Sequence, residues 1–167
     1  PGRVITTREI PNWDTAHETP LLLRHNNEYL LYFTGYVHKG NFGTSFPYSI
    51  GLAKSTDGVH FRRVGDDPVI RPTKNWYDND AVFSPSIVEY DGKLVMVYTG
   101  YCVTDCGDKA GVHILAATSI DGVIWNKENN PIIRKEDFPE AKDGIAEVAL
   151  VNGNDDYYYL FYSLLLA

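Results

Sequence analysis

The chain has 167 residues, 44% of them hydrophobic and 13% aromatic, with 15 basic against 22 acidic side chains for a net charge of −7. That is apolar material enough for a real core. The acidic balance argues against a nucleic-acid partner, which calls for a basic face; no apolar run reaches membrane-spanning length, Leu164-Leu165-Leu166 included, and no pattern calls for a cofactor.

In chain order, the first element is an apolar strand near residues 21–24, followed by a polar turn at 25–28. A second strand covers 29–34, a long loop follows, and a third strand lies near 50–54. Asp57-Gly58 then makes a tight turn into a fourth strand near 60–63, since Asp-Gly between apolar runs is a strong hairpin signal. The same order returns at 86–89, 94–99, 112–117 and 123–126, with Asp121-Gly122 at the tight turn. A third copy begins at Ala149 and runs through the tyrosine-rich strand 157–165. Asp57 and Asp121 stand 64 residues apart, and Pro20 and Pro85 stand 65 apart. A fixed period of this size means one supersecondary unit used repeatedly. The only competing helical stretch, 135–142, is short and contains Pro139.

Residues 29–33 and 94–98 are apolar throughout rather than alternating, so each second strand expects cover on both faces. A four-stranded antiparallel sheet covered on both faces by copies of itself is a propeller blade. The reading is an all-β, incomplete β-propeller in a single domain: one repeat over about 3–67, a second over about 68–131, and the inner half of a third over about 132–167. With a single Met and Pro1 in front, the chain reads as a processed or trimmed product. An open part-ring exposes blade edges and an apolar face, so a homo-oligomer or a second chain completing the propeller is expected. The compartment, secreted or cytoplasmic, is left open.

In such blades the connections alternate ends. The short polar turns fall on one face, which makes Asp57 and Asp121 turn residues. The long loops 10–19, 36–48, 71–84, 101–111 and 135–147 fall on the other, where function concentrates. The segments just before each first strand reach the axis: 13–19, 78–84 and 142–148. They carry Asp14, Glu18, Asp80 and Glu147, three acidic clusters that would converge. Aligned on Pro20, Pro85 and Ala149, Glu18 and Glu147 share one position, held by Phe83 in the middle unit. Converging carboxylates suit glycosidic-bond chemistry, one donating a proton to the leaving oxygen and another activating water or attacking the sugar. Trp13, Trp76, Tyr77, Phe83, Tyr36 and Tyr101 offer flat faces to sugar rings. His17 reads as a hydrogen-bonding pocket residue, and His60 and His113 as strand residues. Asp78, Asn79 and Asp80 also suit a turn bonding its own backbone, and Asp143-Gly144 suits a plain turn. Cys102 and Cys106 lack the partners of a zinc set; a loop-closing disulfide and two reduced thiols are both open.

The stretches Ser84-Pro85-Ser86-Ile87-Val88, Val97-Tyr98-Thr99-Gly100 and Gly51-Leu52-Ala53-Lys54-Ser55-Thr56-Asp57-Gly58 resemble the five-bladed propeller glycosidases. That group holds arabinanases and β-xylosidases (glycoside hydrolase family 43), invertase-like enzymes and mannoside phosphorylases. The resemblance implies an oligosaccharide substrate, a base Asp, an orienting Asp and a general-acid Glu. By position these would be Asp14, Asp80 and Glu147, with Glu18 the alternative acid. The family's aspartates usually stand directly before Pro, where this chain has Thr19 and Ser84. The alternative is a non-catalytic carbohydrate-binding or assembly module built from the same blades; the blandest is a partial-gene product with no ligand at all.

Overall fold

A computed structural model describes residue 2 and residues 4–39, 44–142, 144–153 and 155–166. Asp143 of the expected Asp143-Gly144 turn lies outside the described residues, as does part of the 36–48 loop. Strands β1 (Ala16–His25), β2 (Glu28–His38), β3 (Thr44–Ser55) and β4 (Arg62–Arg63) form one antiparallel meander. Strands β5 (Ala81–Tyr90), β6 (Lys93–Cys102), β7 (Gly111–Ser119) and β8 (Asn126–Lys127) form a second. Strands β9 (Gly144–Asn152) and β10 (Tyr158–Leu165) make an antiparallel pair. The three first strands sit side by side, β5 between β1 and β9. This is the expected all-β partial propeller.

The uniformly apolar second strands are explained by what covers them. Along β6, alternate residues point to opposite faces. Leu94, Met96 and Tyr98 enter the core shared with the first meander, together with Leu30, Tyr32, Ile50 and Leu52. Val97 enters the core shared with β9 and β10, beside Ile114 and Ile145. Two of the largest buried side chains are Tyr32 and Tyr98, and each finds a partner for its hydroxyl, as a buried phenol must. Tyr32 donates to the Gly122 carbonyl at 2.6 Å.

Two expectations shift. The first strands start before their prolines, at Ala16 and Ala81 rather than near 21 and 86, because a bulge carries each strand across the residue that lacks an N–H. The fourth strands are two-residue pieces that begin later than expected. Asp57 and Asp121 start wider turns: Asp57 Oδ1 accepts the Val59 and His60 amides, each at 2.8 Å, and Asp121 Oδ1 those of Val123 at 2.8 Å and Ile124 at 2.9 Å. His60 therefore belongs to a turn, bonded to Asp57, not to a strand. These turns lie at the end away from the long loops.

Candidate functional site

Each inner strand carries one residue in the left-handed region at its bulge: Thr19 (φ 46°), Ser84 (φ 51°) and Glu147 (φ 54°). A non-glycine residue held there costs on the order of 1–3 kcal/mol, and such residues cluster at functional sites. The bulges aim at one place. Residues 19–21, 84–86 and 147–149 together line a single cavity of about 380 Å³ where the first strands meet. This corrects the alignment of the third copy, which is one residue shorter before its strand than the second. Glu147 shares the position of Thr19 and Ser84, not that of Glu18. The signal that finds this is the strand register, Leu21 opposite Tyr32, Ser86 opposite Val97 and Ala149 opposite Phe161.

Hydroxyl groups stitch these bulges together. Thr34 Oγ1 lies 2.6 Å from Thr19 Oγ1 and accepts the Ser84 amide at 3.1 Å, tying the first unit to the second. Ser86 Oγ accepts the Leu150 amide at 2.8 Å, tying the second to the third. Thr99, the counterpart of Thr34, has a buried Oγ1 with no partner among the described residues.

The structure does not gather all the expected acids here. Asp14 is fully buried, and its carboxylate accepts from Arg8 Nε at 2.5 Å and Arg63 Nε at 2.9 Å, with His17 Nε2 at 3.3 Å. Its repeat counterpart is Asp78, not Asp80. Asp78 is fully buried and accepts from Lys127 Nζ at 2.5 Å and the Thr73 amide at 3.0 Å. Arg63 on β4 and Lys127 on β8 thus play one part: each pins the short fourth strand to the loop entering the first. Gly35 and Gly100 make room, since a Cβ there would come within 2.9 Å of Asp14 Cβ and 3.0 Å of Asp78 Cβ. Asp78 bonds nearby backbone as the turn reading has it, but its ion pair was missed along with Arg8, Arg63 and Lys127, although the 64-residue spacing of Asp14 from Asp78 and of Arg63 from Lys127 was there to find. Burial holds Lys127 below the usual lysine range against the opposing pull of Asp78. Burial likewise lowers His17, against its bond to Asp14.

Asp80 lines a different cleft, between the first and second meanders. Its Oδ2 accepts the amides of Val103 at 2.7 Å and Thr104 at 2.9 Å. Partial burial pushes its carboxyl up, but these amides outweigh that and hold it below the usual range. The loop it braces is closed by a disulfide between Cys102 and Cys106, which settles the two open readings of that pair. Asp80, Cys102 and Cys106 come within metal-ligand reach of one another, but the disulfide has consumed both thiolates.

Glu18 is half-buried beside Thr19, and desolvation raises its carboxyl above the usual range. The Tyr36 phenol is raised by burial and by the Glu18 charge. Tyr36 stacks on Tyr48 at 4.7 Å between centroids, and Tyr48 also meets Phe46 at 5.3 Å and Phe83 at 6.4 Å. Tyr101 joins through Phe46 at 5.5 Å. So Tyr36, Phe83 and Tyr101 form one aromatic band with two residues the sequence reading passed over. The others lie outside this band. Trp13 stacks on Phe33 at 6.1 Å and donates to the Asp66 carbonyl; Tyr77 packs against the core and edge-on to His113 at 5.0 Å; Trp76 leans on Tyr77.

Residues 18–145 match the family model described as glycosyl hydrolases family 32 N-terminal domain. A sucrose-6-phosphate hydrolase of Zymomonas mobilis is 32% identical over 136 residues, covering 75% of this chain and 25% of that protein. A raffinose invertase of Escherichia coli is 30% identical over 122 residues, covering 68% of this chain and 25% of that protein. The chain therefore spans about a quarter of the length of these relatives. Among solved structures, the Bombyx mori GH32 β-fructofuranosidase superposes with a TM-score of 0.68 at 17% identity, covering 92% of this chain and 30% of that one. These matches fit the propeller-glycosidase group, and the family model matched is the family 32 one.

Proposed function

This chain belongs to the glycosyl hydrolases family 32 N-terminal domain family, and from that premise we propose that it forms part of a glycoside hydrolase acting on sucrose- or raffinose-type oligosaccharides. The observation that carries the reading is the axial cavity, where the third inner strand presents Glu147 in the slot that Thr19 and Ser84 fill on the first two. Hydrolysis of a glycosidic bond needs one carboxyl able to give a proton and a second carboxylate. Glu18, raised by desolvation, is the proton donor in this reading, and Glu147 the second carboxylate. Asp14 takes no base role, because its oxygens are engaged by Arg8 and Arg63. Asp80 orients from the neighbouring cleft, and Tyr36, Phe83 and Tyr101 border the sugar. The exposed Val151, Tyr159 and Phe161 on β9 and β10 form the seam at which a second copy or another chain adds blades; a monodisperse monomer of 18.8 kDa in sedimentation refutes that assembly.

The test is hydrolysis of sucrose, sucrose-6-phosphate and raffinose by the protein and by Glu147→Gln and Glu18→Gln. Each variant should lose roughly 10²–10⁴-fold in rate, as removal of an acid–base group does. Full activity in Glu147→Gln overturns the reading. A second reading, carbohydrate binding without turnover, is favoured by one observation: two of the three equivalent slots hold hydroxyl residues, leaving one carboxylate among them. It predicts no hydrolysis, with a melting temperature that rises with added sugar.

A further inference from the structure

The repeat leaves open between its first two units a space that it fills between the next two. The open space is a cleft of about 620 Å³, whose walls include Trp13, Phe46, Ser49, Lys74 and Asp80. The bridges Ile50–Ile70 and Ile114–Ile133 locate its counterpart. There Tyr77 stands for Trp13, His113 for Ser49, Gly111 for Pro47 and Lys135 for Pro72. His113 is fully buried, its ring set against Tyr77. Its Nε2 pairs with the Lys109 carbonyl at 3.1 Å, and its Nδ1 accepts the Lys135 amide at 3.2 Å. The Lys135 stem occupies the rest of the space, so closely that a Cβ at Gly111 would strike it. A one-turn 3-10 helix, Lys135–Asp137, closes the end. In the first unit a serine replaces the imidazole and a proline replaces the lysine. What is left open is the volume of a flat five-membered ring and an alkyl chain, with an aromatic edge on one side and polar groups on the other.

We propose that this cleft binds one sugar ring of an oligosaccharide whose reacting end lies in the axial cavity. A sugar ring has apolar C–H faces and a rim of hydroxyls, and the cleft matches both. Phe46 is 49% exposed there, with Pro47, Pro68 and Pro72 beside it. Lys74 has no bonding partner among the described residues, and the Asp80 carboxylate is held in place by two backbone amides. Sites for small molecules have this make-up of apolar wall and few fixed polar groups. The cleft also connects to the other site. Phe46 meets Tyr48, and Tyr48 meets Phe83, which directly precedes Ser84 of the axial cavity. The inference rests on the carbohydrate reading above and adds to it a place for a sugar ring outside the axial cavity.

The chain itself supplies the test. Ser49→His installs the residue that the second unit carries at this place, and Phe46→Ala removes an exposed face without touching the core. Titration calorimetry in a Glu147→Gln background, to suppress turnover, compares sucrose with the trisaccharide raffinose. Raffinose should bind about tenfold tighter than sucrose, Ser49→His should erase that difference while leaving sucrose unchanged, and Phe46→Ala should weaken raffinose as well. Raffinose binding no tighter than sucrose, or unmoved by Ser49→His, overturns the proposal, as does no raffinose binding at all. The two readings fail separately. If sucrose binds and Ser49→His does nothing, the cleft is refuted and the axial site stands. If Ser49→His weakens raffinose while the unsubstituted protein hydrolyses neither sugar, the cleft stands and the catalytic reading falls.

Discussion

Asp14→Asn separates a structural from a catalytic role for the most buried carboxylate of the first unit. The substitution puts an amide that donates opposite two guanidinium groups that also donate. At an effective dielectric near 20, each of the two charge pairs, about 4 Å between charges, is worth roughly 4 kcal/mol before desolvation. Burying the carboxylate takes back several kcal/mol. Arg8 and Arg63 keep 18% and 20% of their side-chain area in water, which screens the pair further. What remains is about 3 kcal/mol of lost stability, at the low end for breaking a buried ion pair. For a chain of this size that lowers the melting temperature by about 6–12 °C. Thermal and urea unfolding followed by tryptophan fluorescence suit the measurement, because Trp13 lies under Arg8. Asp78→Asn should behave alike, since Lys127 repeats the part of Arg63. A midpoint within about 2 °C of the unsubstituted protein, or a loss in one unit only, refutes the repeated latch.

Three other outcomes follow from the same geometry. Thr34→Val should cost about 1–3 kcal/mol, because it strands the Ser84 amide, whereas Thr99→Val should be neutral or stabilising, because its buried hydroxyl has no partner among the described residues; chemical denaturation of the two variants decides it. Cys102→Ser with Cys106→Ser should cost about 2 kcal/mol, the loop-closure value for so short a loop, and reductant should destabilise the parent but not the variant. Glu18, raised by desolvation, gives a falling alkaline limb: a proton donor is lost as pH rises through its elevated pKa. The sign for stability is the same. A carboxyl that holds its proton more tightly when folded stabilises the fold below its unfolded pKa and loses that contribution as pH rises through the folded one. Glu18→Gln should flatten both profiles; an unchanged alkaline limb in the rate profile counts against Glu18 as the donor.

Composition and repeat alone determined the architecture of this protein. A period near 64, strands apolar on both faces and paired Asp-Gly turns admit little but stacked four-stranded meanders, because each of these is a local demand of backbone geometry or burial. They also marked Tyr36, Phe83 and Tyr101, but together with Trp13, Trp76 and Tyr77, which pack outside the aromatic band. The site was legible only in part. Glu147 was found, but its equivalence to Thr19 and Ser84 was not, because a single missing residue moves every side chain of a strand to the other face, and an alignment of the third copy on Ala149 does not see that slip. Asp14 read as a free acid because nothing local to it announces Arg63, which lies 49 residues away and reaches it only once β4 has folded back over the loop. Tertiary structure decided which carboxylates are locked into ion pairs and which remain open to a ligand, because that depends on cations brought from the far end of each repeat. It decided equally that one cleft is filled by a histidine and a lysine while its counterpart stands open, a difference of side-chain volume that a shared backbone pattern leaves free.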